Sequence, residues 1–372
     1  MDVNLKVKAN LRIRAFYLFF VIGSIQIGVG VMGSPMYVFR EARQDSWISI
    51  IIAYIFILFV LFVMLRILRQ YDNADIFGIQ VDLFGKWLGM ALGTFYIIYF
   101  FVTLLTVLVT YIEVIQIFIF PEISSLVLGV LLLSLVIYSV LGGIRVIIGV
   151  VFLFFFLAHW LLLLLYEPAR NIELDHFRPV LNASVMELLK GSRETVFTFA
   201  GFEILFIIYP FIQNKKQAGR PVYWGTTWAA AIVFINTVIS IGYFSPQRME
   251  EMEWSVLSLF KIVKFPFIER FDYIVVAEWM MVTLPNMILL MWVITYGLKR
   301  MYKVPQKITL YVSAGILFVL CGFVTYHYWI MNLTDALSNI AFWVVYIYPL
   351  ILLPLVILKK KLRKRKKGSD QK

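Results

Sequence analysis

The sequence predicts an all-α polytopic membrane protein, and three observations carry that prediction. The chain has 372 residues, of which 62% are hydrophobic and 15% charged, with a mean hydropathy of +0.86. Soluble domains are nearer half apolar and a quarter charged. The apolar residues gather into runs long enough to cross a bilayer as helices, about 17–25 residues each. Aromatic residues make up 17% of the chain, which suits belts at both membrane interfaces.

Charge and cysteine content narrow the reading. The net charge of +12 raises the question of nucleic acid, but eight basic residues lie between Lys359 and Lys367, just beyond the last apolar run. Such a cluster more simply anchors a helix to an anionic cytoplasmic leaflet, and no nucleic-acid partner is expected. The single cysteine, Cys321, excludes an intramolecular disulfide and argues against a cysteine-based metal site. The N-terminus is polar and basic, and the first apolar run is too long for a signal h-region, so no cleavable signal peptide is expected.

Ten spanning segments follow in order: Ile13–Phe39, Trp47–Leu68, Trp87–Phe120, Ser124–Leu141, Val146–Leu165, Val196–Ile212, Tyr223–Phe244, Phe271–Leu298, Ile308–Tyr328 and Leu337–Leu358. They form one integral membrane domain, with a first half over about 13–165, a second over about 196–358 and a basic tail over 359–372. The third segment is long enough to tilt. Its Tyr99, Thr103, Thr106 and Thr110 recur at helical spacing, which places them on one face, turned to the protein interior. With the N-terminus inside, 24 of the 34 Lys and Arg residues fall on inner segments, and eight of the remaining ten sit in two long outer loops. Both termini are therefore expected on the cytoplasmic side. The outer loops run over about Tyr166–Thr195 and Ser245–Arg270, and the second carries Glu250, Glu251 and Glu253 beside Trp254.

Two segments contain helix-breaking sequence at mid-depth. The first reads Ile27-Gly28-Val29-Gly30-Val31-Met32-Gly33-Ser34-Pro35. The sixth reads Thr198-Phe199-Ala200-Gly201-Phe202-Glu203, followed by Tyr209-Pro210. Unwound backbone survives in a bilayer only where protein buries it or where it lines a polar cavity. Small residues that let a neighbouring helix approach are the simpler explanation of the first stretch alone. Paired breaks at matching places in two halves point instead to a substrate site. The spacing of the breaks fits a five-plus-five arrangement with the halves inverted.

This architecture resembles the amino acid–polyamine–organocation transporters and their LeuT-fold relatives. Within that superfamily the chain resembles the spore germination permease family, the membrane B-subunit of nutrient germinant receptors. The matching residues are Gly28-Val29-Gly30 with Pro35, Phe84-Gly85-Lys86-Trp87-Leu88-Gly89, and Phe177-Arg178-Pro179-Val180-Leu181. Phe199-Ala200-Gly201-Phe202-Glu203 and Phe267-Ile268-Glu269-Arg270-Phe271-Asp272 with Trp279 complete them. One departure is Pro285-Asn286 in the eighth segment, where relatives often carry hydroxyl residues, and it leaves the ligand preference open. The resemblance implies a small nutrient ligand, an amino acid first of all, a location in the spore inner membrane, and two partners, a receptor A-subunit and a lipoprotein C-subunit.

It also implies where the ligand binds. Amides of Gly28, Val29 and Gly30 would face a carboxylate, as at other helix N-termini. Carbonyls near Phe199 and Ala200, beside Gly201, would face an ammonium. Tyr99, Thr103, Thr283 and Asn286 complete the candidate ligand-binding set. Glu203 is expected to gate or to brace the unwound backbone more than to touch ligand. Glu113 lies near the outer end of its segment and is expected to be solvated, Glu278 is a further buried-acid candidate, and His159 reads as hydrogen-bonded packing. No residue set has metal-ligand spacing or a nucleophile with its base, so neither a metal, a cofactor nor an enzymatic activity is expected. The leading function is a receptor subunit that reports a nutrient by shifting a conformational equilibrium, and the alternative is an amino-acid permease of the same superfamily.

Overall fold

The computed structural model describes residues 2–263 and 270–369 of the chain. Residues 267–269 of the fifth matching motif and residues 370–372 of the basic tail lie outside the described residues. Among the described residues the chain is helical, with two isolated β-bridges and no strand.

The first segment divides into α1 (Leu18–Ile25) and α2 (Gly30–Ala42), followed by α3 (Ser46–Leu68). Helix α4 (Ile76–Phe118) starts eleven residues before the expected Trp87, because Asp75 caps it by accepting from the Gly78 amide at 2.8 Å. Gly85 breaks α4 with φ 82° and ψ 177°, a conformation that needs glycine, and a Cβ there would touch nothing. Helices α5 (Ser125–Leu141), α6 (Gly143–Ala158), α7 (Leu161–Leu164) and α8 (Tyr166–Arg170) complete the first half. Helix α9 (Val185–Glu194) lies within the expected outer loop, and Ser184 with Glu187 forms its capping box. The sixth segment is short pieces: α10 (Val196–Phe199), α11 (Leu205–Ile208) and flanking 3-10 turns. Next come α12 (Gly219–Tyr243), α13 (Pro246–Glu251), α14 (Ser255–Phe260), α15 (Phe271–Glu278) and α16 (Met280–Tyr302). Helix α17 (Gln306–Phe323) ends before the expected Tyr328, and α18 (His327–Ala341) leads through a π-turn at Phe342–Ile347 into α19 (Tyr348–Ser369).

By length and composition seven helical stretches can cross a membrane, or eight if the pair Val185–Glu194 and Val196–Phe211, bent by 44°, is one span. The expectation of ten counts the shorter Ala15–Ile25 together with α2, and Ser125–Leu141 by itself. The chain is an integral membrane protein, and the core lies between these helices, while large apolar side chains such as Ile55, Phe59, Leu131 and Trp343 face outward.

The two termini share one face of the bundle. Leu5 bonds to Asn73 through its amide at 2.8 Å, and Arg363 pairs with Asp82 at 2.8 Å. On the same face the first and sixth segments are joined. The Ile13 amide donates to the Phe211 carbonyl at 2.8 Å, and the Gln213 amide donates to the Ile13 carbonyl at 2.9 Å. Buried Asp75, already capping α4, also accepts from Tyr296 at 2.7 Å and Arg300 at 3.1 Å, which joins α4 to α16.

Candidate functional site

The first interruption leaves donors without acceptors. The amides of Ile27, Val31 and Met32 bond to Ser24, Gly28 and Val29 carbonyls at 3.0, 3.3 and 3.2 Å. Those of Gly28, Val29 and Gly30 have no acceptor among the described residues. They sit at the N-terminus of α2, where orphan amides and the helix dipole favour negative charge. Gly30 is required by a close approach, since a Cβ would lie 2.9 Å from the Thr198 Cα. Thr198 donates to the Gly30 carbonyl at 3.2 Å, and Asn286 donates to the Ile27 carbonyl at 3.1 Å. Asn286 is buried, and its Oδ1 has no partner among the described residues.

The second interruption is closed instead. Gly201 takes φ 113°, and a Cβ there would lie 2.6 Å from the Ile25 side chain. Glu203, fully buried, accepts from the Gly201 amide at 2.7 Å and from Tyr99 at 2.9 Å. Both of its oxygens are used, so its geometry is that of a brace. The Phe199 carbonyl, expected to meet an ammonium, instead accepts from Gln26 at 3.2 Å. Gln26 is held by Thr226, which donates to its Oε1 at 2.9 Å.

The structure therefore splits the expected ligand set. Gly28, Val29, Gly30 and Asn286 come together, joined by Thr198. Phe199, Ala200, Gly201 and Tyr99 gather around Glu203 and Gln26. Thr103 and Thr283 are buried but return their hydroxyls to their own helices, to Tyr99 and Trp279 carbonyls at 2.9 and 3.2 Å. Gln26 and Thr226 were not singled out in the sequence, because a buried amide in an apolar run has no spacing signal of its own.

Further corrections concern the acids. Glu113 is not solvated: it is 7% exposed and bonds His327 Nδ1 at 2.8 Å. Glu278 is only half-buried, and Trp160 donates to it at 3.3 Å. His159 packs between Phe155 and Trp228, accepting from the Trp228 indole at 2.8 Å. Glu253, in the loop between α13 and α14, has its carboxyl raised above the usual range by burial, against the pull of His327. Among the described residues no group of three His, Cys, Asp or Glu could hold a metal ion.

Two cavities flank the first interruption. One, with about 40 Å³ of space that water can enter, is apolar and lies between Ile27, Phe155, Phe260 and Trp279. The other, with about 50 Å³, is bounded by Val29, Gly30 and Thr198 and includes several carboxylates.

Comparison with known proteins bears on the family and the fold. The family described as "Spore germination protein" matches residues 12–328. The spore germination protein GerQB of Bacillus cereus is 30% identical over 359 residues, covering 96% of this chain and 99% of that protein. The spore germination protein YndE of Bacillus subtilis (strain 168) is 23% identical and covers 90% and 93%. A sodium-coupled sialic acid symporter, solved substrate-bound and outward-open, superposes with a TM-score of 0.62 at 12% identity, covering 94% of this chain and 79% of that one. At that identity the likeness is one of fold, a LeuT-like transporter fold.

Proposed function

This chain belongs to the spore germination protein family, and from that premise we propose that it is the nutrient-binding membrane subunit of a germinant receptor. It sits in the spore inner membrane with both termini on the core side, and works with an A-subunit and a lipoprotein C-subunit. Its ligand is a small nutrient, an amino acid first of all. The observation that carries this reading is the set of three acceptor-less amides at Gly28, Val29 and Gly30 beside a cavity. They suit a carboxylate. Around them, Asn286 and Thr198 hold the unwound backbone in place.

Binding works by biasing a conformational equilibrium. Shifting a population from 1:99 to 99:1 takes about 5.5 kcal/mol of differential affinity. A small amino acid held by backbone amides supplies part of that, and partner subunits supply the rest. The alternative, an amino-acid permease, draws on the transporter fold alone. Liposomes carrying the purified chain separate the two. With radiolabelled amino acids and an imposed proton or sodium gradient, the receptor reading expects binding without concentrative uptake. Robust concentrative uptake by this chain alone would replace it with the permease.

A further inference from the structure

The cavity above the first interruption has a lining the amides do not explain. On the face opposite the termini, the loop Met252-Glu253-Trp254 lies against α2. Gly33 permits this, since a Cβ there would lie 2.9 Å from the Glu253 carbonyl oxygen. Beneath the loop, Glu113, Glu194, Glu253 and Asp335 line one cavity; among the described residues no Lys or Arg lines it, although Arg40 lies close enough to act on Glu253.

Acidic lining alone is not a site. Here it coincides with four buried polar atoms that have no partner among the described residues: Thr110 Oγ1, Glu113 Oε2, Glu253 Oε1 and Trp254 Nε1. Thr110 is 5% exposed and Glu113 is 7% exposed. Thr103 and Thr106, earlier on the same face of α4, both return their hydroxyls to carbonyls four residues back at 2.9 Å. Thr110 does not. Leaving such an atom unpartnered is costly, because its lost hydrogen bonds to water are not replaced. Three of the four can accept, and an –NH₃⁺ group carries three donors. Trp254, Phe197 and Tyr37 add aromatic walls, which favour an organic cation over a hydrated ion.

His327 stands at the mouth. Its Nδ1 is 2.8 Å from Glu113 Oε1, and its Nε2 is 3.4 Å from Glu253 Oε2. An open depression on its far side is lined by the same three residues with Gln116 and Thr325. Each carboxylate thus gives one oxygen to the imidazole and leaves the other buried without a partner among the described residues.

We propose that this cavity receives the organic ammonium group of the nutrient on Thr110, Glu113 and Glu253, with His327 as the latch across its mouth. The inference rests on the nutrient reading above for the ligand's orientation, but the ammonium site stands on its own atoms. It moves the cationic end of the ligand away from Phe199 and toward α4 and the α13–α14 loop.

The test uses the full chain in nanodiscs, with binding measured by titration calorimetry and thermal shift. The probes are alanine, ethylamine, which keeps only the ammonium, and propionate, which keeps only the carboxylate. Glu113→Gln and Glu253→Gln preserve side-chain shape, and each is expected to weaken alanine and ethylamine at least tenfold while leaving propionate unchanged. Unchanged ethylamine affinity in both Glu→Gln variants overturns the ammonium site, and leaves the amide reading standing if Gly30→Leu still abolishes propionate binding. Competition by sodium or potassium at the concentrations where ethylamine binds makes this an inorganic-cation site and overturns it equally. Binding of no probe overturns both readings.

Discussion

The two interruptions lie against each other, with Gly201 packed on Ile25, yet their hydrogen bonding is opposite. At the second break the Gly201 amide and the Phe199 carbonyl each have a side-chain partner. Glu203 takes the Gly201 amide, and Gln26 takes the Phe199 carbonyl. At Gly28–Gly30 three consecutive amides have none among the described residues. Helix N-termini leave such amides unpaired, and under the function proposed above a ligand carboxylate completes them. One break is braced by side chains, and the amides of the other have no acceptor among the described residues.

The largest expected effect comes from filling the open break. Gly30→Leu places a side chain where a Cβ alone would lie 2.9 Å from the Thr198 Cα. It should weaken nutrient binding by a hundredfold or more while the protein still inserts, since hydropathy is kept. An unchanged dose–response of germination at normal protein level would erase the distinction between the two breaks.

The braced break should fail differently. Glu203→Ala leaves the Gly201 amide and the Tyr99 hydroxyl buried without partners, at a cost of about 1–3 kcal/mol each. The apparent melting temperature in detergent should fall, and the nutrient affinity of the protein that remains folded should change by less than about threefold. A loss of affinity larger than the loss of stability would make Glu203 a ligand contact.

The sequence carried part of this asymmetry. Glycine and proline placed breaks near Gly30 and Gly201, because those residues act locally on φ and on backbone donors. The periodicity of Tyr99, Thr103, Thr106 and Thr110 marked a buried face, and all four are buried. It could not separate Thr110 from Thr103, because that difference depends on which hydroxyl finds a local carbonyl. Glu113 read as solvated because depth along a segment says nothing of a neighbour such as His327, more than two hundred residues away. Gln26 escaped for the same reason, since its partners lie on α10 and α12. The Ser184–Glu187 capping box starts a helix inside a stretch read only as loop.

The most direct test of the open break removes the ligand's carboxylate charge. Titration calorimetry on the full chain in nanodiscs would compare alanine with alaninamide, whose carboxylate is replaced by a neutral amide. If the amides of Gly28, Val29 and Gly30 hold a carboxylate, alaninamide should bind at least a hundredfold more weakly than alanine, and Gly30→Leu should abolish that preference. Equal affinities for the two probes would contradict the account.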